Sequence, residues 1–157
     1  PYLQSCALQA EKTGLPIMRA MPLVFPEDQS AWSYDEQYML GDSLLVIPVI
    51  NPEQRAHYYL PPGDWYHLST GEKFTGPLTV KQDIPLEYIP VFGRAGYILP
   101  LGPEVQHTDE LKPGVDLEEI WVFGDVQHGI NLTRLTIRID ADGQIQGVPD
   151  GVKIKHW

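Results

Sequence analysis

The stretch GDSLLVIPVINPEQRAHYYLPPGDWYHL, residues 41–68, decides the fold class of this 157-residue chain. An uninterrupted apolar run over residues 43–49 predicts a buried strand, and residues 56–60 predict a second one. Pro-Pro-Gly-Asp at residues 61–64 predicts a turn that leads from the second strand into a third strand at residues 65–68. Short strands separated by turn residues are typical of a β-sandwich or a β-barrel.

The strand pattern continues toward the carboxyl end. Further short strands are predicted at residues 78–81, 88–92, 97–101, 117–123, 132–140, 144–148 and 152–157. Asp142-Gly143 and Asp150-Gly151 separate the last three, and Asp-Gly between alternating runs is a strong hairpin signal. We therefore predict an antiparallel meander at this end. The 15 prolines and 14 glycines of the chain argue against a helical bundle.

The amino-terminal residues have a different pattern. Residues 1–13 predict a helix, since apolar side chains recur at helical spacing and Gly14 occupies the position of a left-handed cap. Residues 15–21 predict a short buried strand after it. A helix followed by such a strand forms an αβ unit, which normally pairs with parallel neighbours. Because no second αβ unit follows, we expect this one to be the end of a larger αβ structure.

The charge and the cysteine content of the chain limit the classes of binding partner and the cellular compartment that we expect. With 11 basic and 21 acidic residues the net charge is −10, so we expect no nucleic-acid partner and no anionic membrane partner. The longest apolar run, residues 44–50, is far shorter than the roughly 20 residues that span a bilayer. Cys6 has no second cysteine to pair with, and residues 1–4 show no secretory signal. These features favour a cytoplasmic location.

Residue types that carry chemistry are present without the spacing that a site requires. The chain has no Gly-x-Ser-x-Gly, and its glycines lie between strands rather than in a phosphate-binding loop. Its five histidines lack zinc-ligand spacing, and residues 140–143 fit a hairpin turn better than a calcium loop. Adjacent Asp35 and Glu36 suit the start of a short helical turn. We therefore predict no catalytic, cofactor-binding or metal-binding residue.

An aromatic cluster is the remaining candidate site. Tyr58, Trp65 and Tyr66 lie on the two strands that flank the predicted turn, together with Tyr59 and His67. Flat aromatic faces can stack on sugar rings, which makes Tyr58, Trp65 and Tyr66 candidates for sugar binding. Packing in the core or at a domain interface is the alternative. We favour packing, because alternate residues of a strand must face inward.

Five blocks of sequence together point to a known family. They are GLPIMRAMP at 14–22, FPED at 25–28, YDEQYMLGDSLLVIPV at 34–49, YLPPGDW at 59–65 and IPVFGRAGYILP at 89–100. In order and spacing these blocks resemble glycoside hydrolase family 31, and the likeness covers residues 1 to about 103. The Arg-Ala-Met and Gln-Tyr-Met-Leu-Gly-Asp segments are most similar to the α-xylosidase branch, although α-glucosidases share much of them.

The resemblance implies a mainly β fold, in which a C-terminal antiparallel β-sandwich follows a short N-terminal αβ remnant of a (β/α)8 barrel. The implied division is the end of the barrel at 1–25, a connecting segment at 26–40, the proximal sandwich at 41–103 and the beginning of a distal β domain at 104–157. Arg19, at the end of the last barrel strand, becomes a candidate for a position near the substrate. A salt bridge that braces neighbouring strands is the favoured alternative for this arginine.

The resemblance also implies a function. The family's catalytic aspartates lie upstream of the matched residues, so this chain is expected to be a non-catalytic, cofactor-free structural part of a retaining α-glycosidase, inactive alone. The whole enzyme would hydrolyse terminal α-xylosyl or α-glucosyl residues of an oligosaccharide. Its catalytic barrel is the implied partner. Two alternatives stay open: a carbohydrate-binding module that uses the aromatic cluster, and an assembly domain that self-associates through an exposed strand at residues 17–20.

Overall fold

A computed structural model describes residues 1–51, 55–85, 87–111 and 116–157. The chain divides into two compact units. The sheet unit is Met18–Ala95, and the split unit combines Pro1–Ile17 with Gly96–Trp157. No helix within the described ranges has the length and apolarity that a membrane crossing requires.

Among its described residues, the sheet unit contains six strands, one short α-helix and a 3-10 helix at Ala31–Ser33. The strands and the α-helix are β1 (Met18–Ala20), α1 (Met21–Val24), β2 (Tyr38–Leu40), β3 (Leu44–Val46), β4 (Arg55–His67), β5 (Lys73–Asp83) and β6 (Val91–Arg94). The six strands form one antiparallel sheet in the order β1-β2-β3-β6-β4-β5. A mainly β, antiparallel fold is thereby confirmed.

A strand is present where it was predicted, but it covers only Met18–Ala20, and the prediction that it is buried was wrong because Arg19 alone is buried in it. Met18 is opposite Leu40 and Ala20 is opposite Tyr38, so β1 runs antiparallel to β2. The expectation of parallel neighbours is therefore not met among the described residues. Because β1 belongs to this sheet, the compact unit that contains it begins at Met18 and includes residues 26–40. The division of the chain at residue 25 stays a prediction.

The turn predicted at residues 61–64 was wrong, because β4 runs through these residues as one continuous strand. Leu60 is opposite Leu78 and Gly63 is opposite Gly76, so β4 advances three residues while β5 advances two. This is a β-bulge, which accommodates the Pro-Pro-Gly sequence without reversing the chain. Gly76 is required opposite it, since a Cβ there would collide with the carbonyl oxygen of Pro61.

The bulge also changes which side chains share a face. Side chains alternate along a strand, so residues nine apart normally point to opposite faces. The extra residue in β4 places Tyr58 and His67 on the same face of the sheet. Both rings contact Phe92 there, with centroid distances of 5.6 Å for Tyr58 and 5.0 Å for His67. Phe74 of β5 packs edge-on against the same ring at 5.7 Å. An aromatic cluster around Phe92 thus forms part of the core.

The split unit is built from one helix and two small sheets. Its elements are α2 (Tyr2–Thr13), β7 (Ile98–Leu101), β8 (Glu119–Val122), β9 (Ile130–Asn131), β10 (Thr136–Ile139), β11 (Ile145–Gln146) and β12 (Lys153–His156). The helix ends as predicted, with Gly14 at φ 76° and its N–H donating to the carbonyl of Ala10 at 2.9 Å. β7 pairs with β8 and belongs to the split unit, whose second segment begins at Gly96. The domain boundary at residue 103 stays a prediction.

The antiparallel meander predicted at this end is only partly present. β10 forms an antiparallel hairpin with β11 across Asp142-Gly143, and it also pairs antiparallel with β9. β12, however, runs parallel to β8, with Ile154 opposite Ile120. The hairpin lies between these two strands in sequence and acts as the crossover that parallel pairing requires.

Candidate functional site

A cavity of about 330 Å³ opens on the sheet unit beside the aromatic cluster. We call it the His67 cavity. Its walls come from β4, from β5, from the loop between them and from the segment that follows β5. Apolar faces of Phe74, Ile84 and Pro85 are combined there with polar side chains, notably Tyr58, His67, Glu72, Gln82 and Tyr88.

His67 is buried and held on both ring nitrogens. Nδ1 accepts hydrogen bonds from the backbone N–H of Thr70 at 3.3 Å and from its hydroxyl at 2.9 Å. An acceptor at Nδ1 puts the proton of a neutral ring on Nε2, which donates to the Tyr88 hydroxyl at 3.0 Å. That hydroxyl lies 2.6 Å from Ser69 Oγ. Desolvation lowers the pKa of His67, opposed by the nearby Glu72 carboxylate, so burial favours the neutral ring.

Tyr58 lines this cavity, and its hydroxyl is not among the buried polar atoms that lack a partner. The residue is 2% exposed, and its hydroxyl makes no hydrogen bond among the described residues. Burial, followed by the proximity of Tyr88 and Glu72, raises the pKa of Tyr58 to about 12. The phenol is therefore protonated at neutral pH and can both donate and accept a hydrogen bond.

The aromatic rings singled out in the sequence lie in the interior. Tyr58, Trp65 and Tyr66 expose 2%, 0% and 7% of their surface. Trp65 also donates from Nε1 to the carbonyl of Pro61 at 2.8 Å, which fixes the ring beneath the bulge. Stacking on a sugar needs an open ring face, and burial of this extent leaves none on these three residues. Packing, the favoured alternative, accounts for their placement.

Arg19 forms an ion pair with Asp42. The arginine side chain is 2% exposed and the aspartate side chain 38% exposed. Arg19 lies on β1, and Asp42 lies in the turn between β2 and β3, so the pair ties the edge strand to the rest of the sheet. Arg19 and Asp42 each have further interactions. A position of Arg19 near the substrate stays a prediction.

A second, wider groove lies on the split unit. It measures about 580 Å³ and is lined by Leu101, Gly102, Glu104, Glu118, Glu119, Trp121 and Lys153. The indole N–H groups of Trp121 and Trp157 are buried without a hydrogen-bond partner in the described part of the chain. The groove also contains three glutamates, but no group of three or more side chains that could hold a metal ion occurs among the described residues.

Two polar residues important to the sheet unit were not selected from the sequence. Tyr88 lies outside any regular element, and only the fold brings its hydroxyl to His67. Gln37 is buried, and its side-chain amide pairs with both the N–H and the carbonyl of Tyr59 at 2.8 Å. Gln37 directly follows Asp35 and Glu36 in a polar stretch, so no local sequence pattern marks it as buried.

The fold defines a class before any comparison: an antiparallel β domain with a small polar cavity, in a chain that also contains a second compact unit of similar length. A profile of the "Glycosyl hydrolase family 31 C-terminal domain" matches residues 14–99. The chain therefore belongs to glycosyl hydrolase family 31, and what it matches is the C-terminal domain of that family.

Curated relatives have several activities in their names. An isomaltosyltransferase from Sporosarcina globispora is 39% identical over 108 residues, covering 68% of this chain and 10% of the relative. An alpha-xylosidase from Saccharolobus solfataricus is 38% identical over 120 residues, covering 74% of this chain and 16% of the relative. The chain thus spans only a small fraction of the length of these relatives.

Solved structures agree with this assignment. A GH31 dextranase from Flavobacterium johnsoniae, complexed with glucose, superposes with a TM-score of 0.71 at 34% identity, covering 93% of this chain and 18% of that one. A GH31 alpha-xylosidase from Xanthomonas citri gives 0.71 at 31% identity, covering 83% and 14%. The likeness in structure extends beyond the residues that the family profile matches.

Proposed function

We propose that this chain supports the catalytic barrel of a retaining α-glycosidase that removes terminal α-xylosyl or α-glucosyl residues. The observation that carries the proposal is the match of residues 14–99 to the family's C-terminal domain, together with the small share of each relative that the chain covers. On this proposal the reaction takes place on the barrel, and the sheet unit stabilises the fold of the barrel.

The edge of the sheet supports a contact of this kind. β1 is the end strand, and its Met18 side chain is 56% exposed. Leu23, in the short helix that follows, is 54% exposed. Exposed apolar side chains beside an unpaired strand edge are typical of a surface that another part of a protein covers.

An activity assay tests the non-catalytic role. The purified chain should release no aryl group from aryl α-xylosides or aryl α-glucosides, while an intact family 31 α-glycosidase does so in the same assay. Turnover by the chain that disappears in a variant within it, such as Arg19→Met, would refute the proposal.

Truncation of the whole enzyme tests the supporting role. The whole enzyme truncated after residue 25, which keeps the implied end of the barrel, should lose thermal stability and activity. A truncated enzyme that is equally stable and active would show that the sheet unit does not support the barrel.

A further inference from the structure

We infer that the His67 cavity is a binding site for a single neutral pyranose sugar. The inference goes beyond the proposed function, since it gives the supporting domain a ligand of its own. It rests on the proposed function only for the choice of xylose and glucose as probes.

The size of the cavity suits a ligand of this class. At about 330 Å³ it lies at the lower end of the range for small-molecule pockets, which run from roughly 300 to 1,000 Å³. A single sugar ring fits such a space, whereas a long oligosaccharide would have to extend outside it. The site is therefore distinct in kind from an extended substrate cleft.

The charge of the lining favours a neutral ligand. Glu72 and Asp83 line the cavity, and none of the lining residues is a lysine or an arginine. Asp83 is paired with Arg55 at 3.1 Å on the exposed face. Carboxylates without a lining cation repel phosphate and other anions. The same carboxylates can accept hydrogen bonds from the hydroxyls of a sugar.

The polar groups alternate with an apolar wall, as a sugar requires. A pyranose carries hydroxyls that both donate and accept around its edge and C–H groups on its faces. Glu72 supplies an acceptor and Gln82 supplies both donors and an acceptor, while Phe74 offers an apolar ring. His67 and Tyr88 are fixed in orientation by their mutual hydrogen bond, so this wall is preorganised before a ligand arrives.

The hydroxyl of Tyr58 gives the strongest indication that something binds. The ring of Tyr58 is held in the interior, since the residue is only 2% exposed, and its hydroxyl is the part that can meet a ligand in the cavity. Among the described residues this hydroxyl has no hydrogen-bond partner, and it belongs to the lining of the cavity. A sugar hydroxyl would supply this partner.

Titration of isotopically labelled chain with D-xylose and D-glucose tests the inference. Backbone amide signals of Thr70, Glu72 and Gln82 should shift saturably with a Kd of about 1–10 mM, the affinity expected of so small a ligand. Tyr58→Phe, which removes a hydroxyl without a protein partner, should keep the fold and weaken binding at least about fivefold.

Tyr59→Phe is the matched control. Its hydroxyl donates to Asp28 at 2.9 Å and Tyr59 is not among the lining residues, so sugar affinity should stay unchanged. Saturable shifts at these amides that weaken in Tyr58→Phe alone would support the site. Absence of saturation, shifts elsewhere only, or equal affinity in Tyr58→Phe would overturn it, and the cavity would then hold only water. None of these results would alter the hydrolysis assay, which tests the proposed function separately.

Discussion

The sheet unit and the split unit hold their polar groups in different ways. In the sheet unit, buried side chains bond to the backbone of β4 where a strand is missing on one side or the ladder is interrupted by the bulge: Gln37 pairs with Tyr59, and Trp65 donates to Pro61. In the split unit, the side-chain hydrogen bonds of the β10–β11 hairpin are exposed, and all four residues of β12 are exposed.

This difference indicates where each unit gets its specificity. The sheet unit contains an irregular long strand whose backbone is satisfied by particular side chains, so single substitutions there should be costly. The split unit depends on short turns, whose backbone groups can exchange with water. Substitutions in its hairpin should therefore cost less. The predictions below test this contrast.

Gly76→Ala should have the largest effect. A Cβ at this position would collide with the Pro61 carbonyl and lie 2.6 Å from the Leu60 carbonyl oxygen, so the bulge must rearrange. We expect a loss of about 4 kcal/mol in the free energy of unfolding, measured by urea denaturation.

Gly143→Ala in the β10–β11 turn is the matched control. Gly143 has φ 77°, and no atom lies within 4 Å of the place that a Cβ would occupy. Alanine there should therefore lose only the about 1–2 kcal/mol that a left-handed backbone conformation costs an L-residue. Equal losses for the two variants would remove the contrast between the units.

Gln37→Leu should cost nearly as much, about 3 kcal/mol, because it leaves two buried backbone groups of Tyr59 without partners. Beside these residues β4 pairs only with β5, and the Gln37 amide takes the place of a neighbouring strand. Gln37→Glu keeps the acceptor for the Tyr59 N–H but buries a carboxylate against the Tyr59 carbonyl oxygen, so at neutral pH it should destabilise the fold at least as much as Gln37→Leu. A neutral effect of Gln37→Leu in urea denaturation would contradict the role assigned to the amide.

Asp42→Asn should cost about 2 kcal/mol and Arg19→Met less. The guanidinium of Arg19 is buried, whereas the carboxylate of Asp42 is partly exposed and can be hydrated when its partner is removed. The two variants compared by urea denaturation give the sign of this asymmetry. A larger loss for Arg19→Met would show that packing of the arginine, rather than its charge, stabilises β1.

The regular parts of this fold could be predicted from the sequence, and the irregular parts could not. The helix cap at Gly14 and the Asp142-Gly143 hairpin depend on local conformation, and both are present. The continuation of β4 through residues 61–64 depends on Gly76 making room for the bulge from the facing strand. A signal fifteen residues away in the sequence is invisible to a local pattern.

The candidate site shows the same limit. The aromatic residues were identifiable, but their orientation depends on the bulge, which turns Tyr58 and His67 to one face. Assuming a turn instead placed the two residues on separate strands. The parallel pairing of β12 with β8 was missed for a related reason, since Asp-Gly turns specify hairpins but not which strand lies beside the last one.

Acid should affect the sheet unit through His67. Desolvation lowers the pKa of His67 from its ordinary 6.5, against the smaller opposing effect of Glu72, so the unfolded chain takes up this proton first as pH falls. The contribution of the neutral ring is complete above about pH 6.5 and decreases as the pH falls from there toward the lowered pKa. Urea denaturation of wild type and His67→Gln at several pH values should show their difference shrinking in this window. A difference independent of pH would show that His67 does not titrate there.

The smallest effect is expected for Asp140→Ala in the split unit. One carboxylate oxygen accepts from the N–H of Gln144 at 2.8 Å and of Asp142 at 3.0 Å, and the other accepts from the Gln146 side chain. These hydrogen bonds, of which the one from the Gln144 N–H has the largest effect, lower the pKa of Asp140. The carboxylate therefore stabilises the folded hairpin at neutral pH, and this contribution is lost as the pH falls below the ordinary value of 3.8. Thermal melting at pH 7 should show a smaller decrease in Tm than any sheet-unit substitution above, because water can replace the exposed carboxylate. A decrease as large as that of Gln37→Leu would mean that this hairpin is held as specifically as β4.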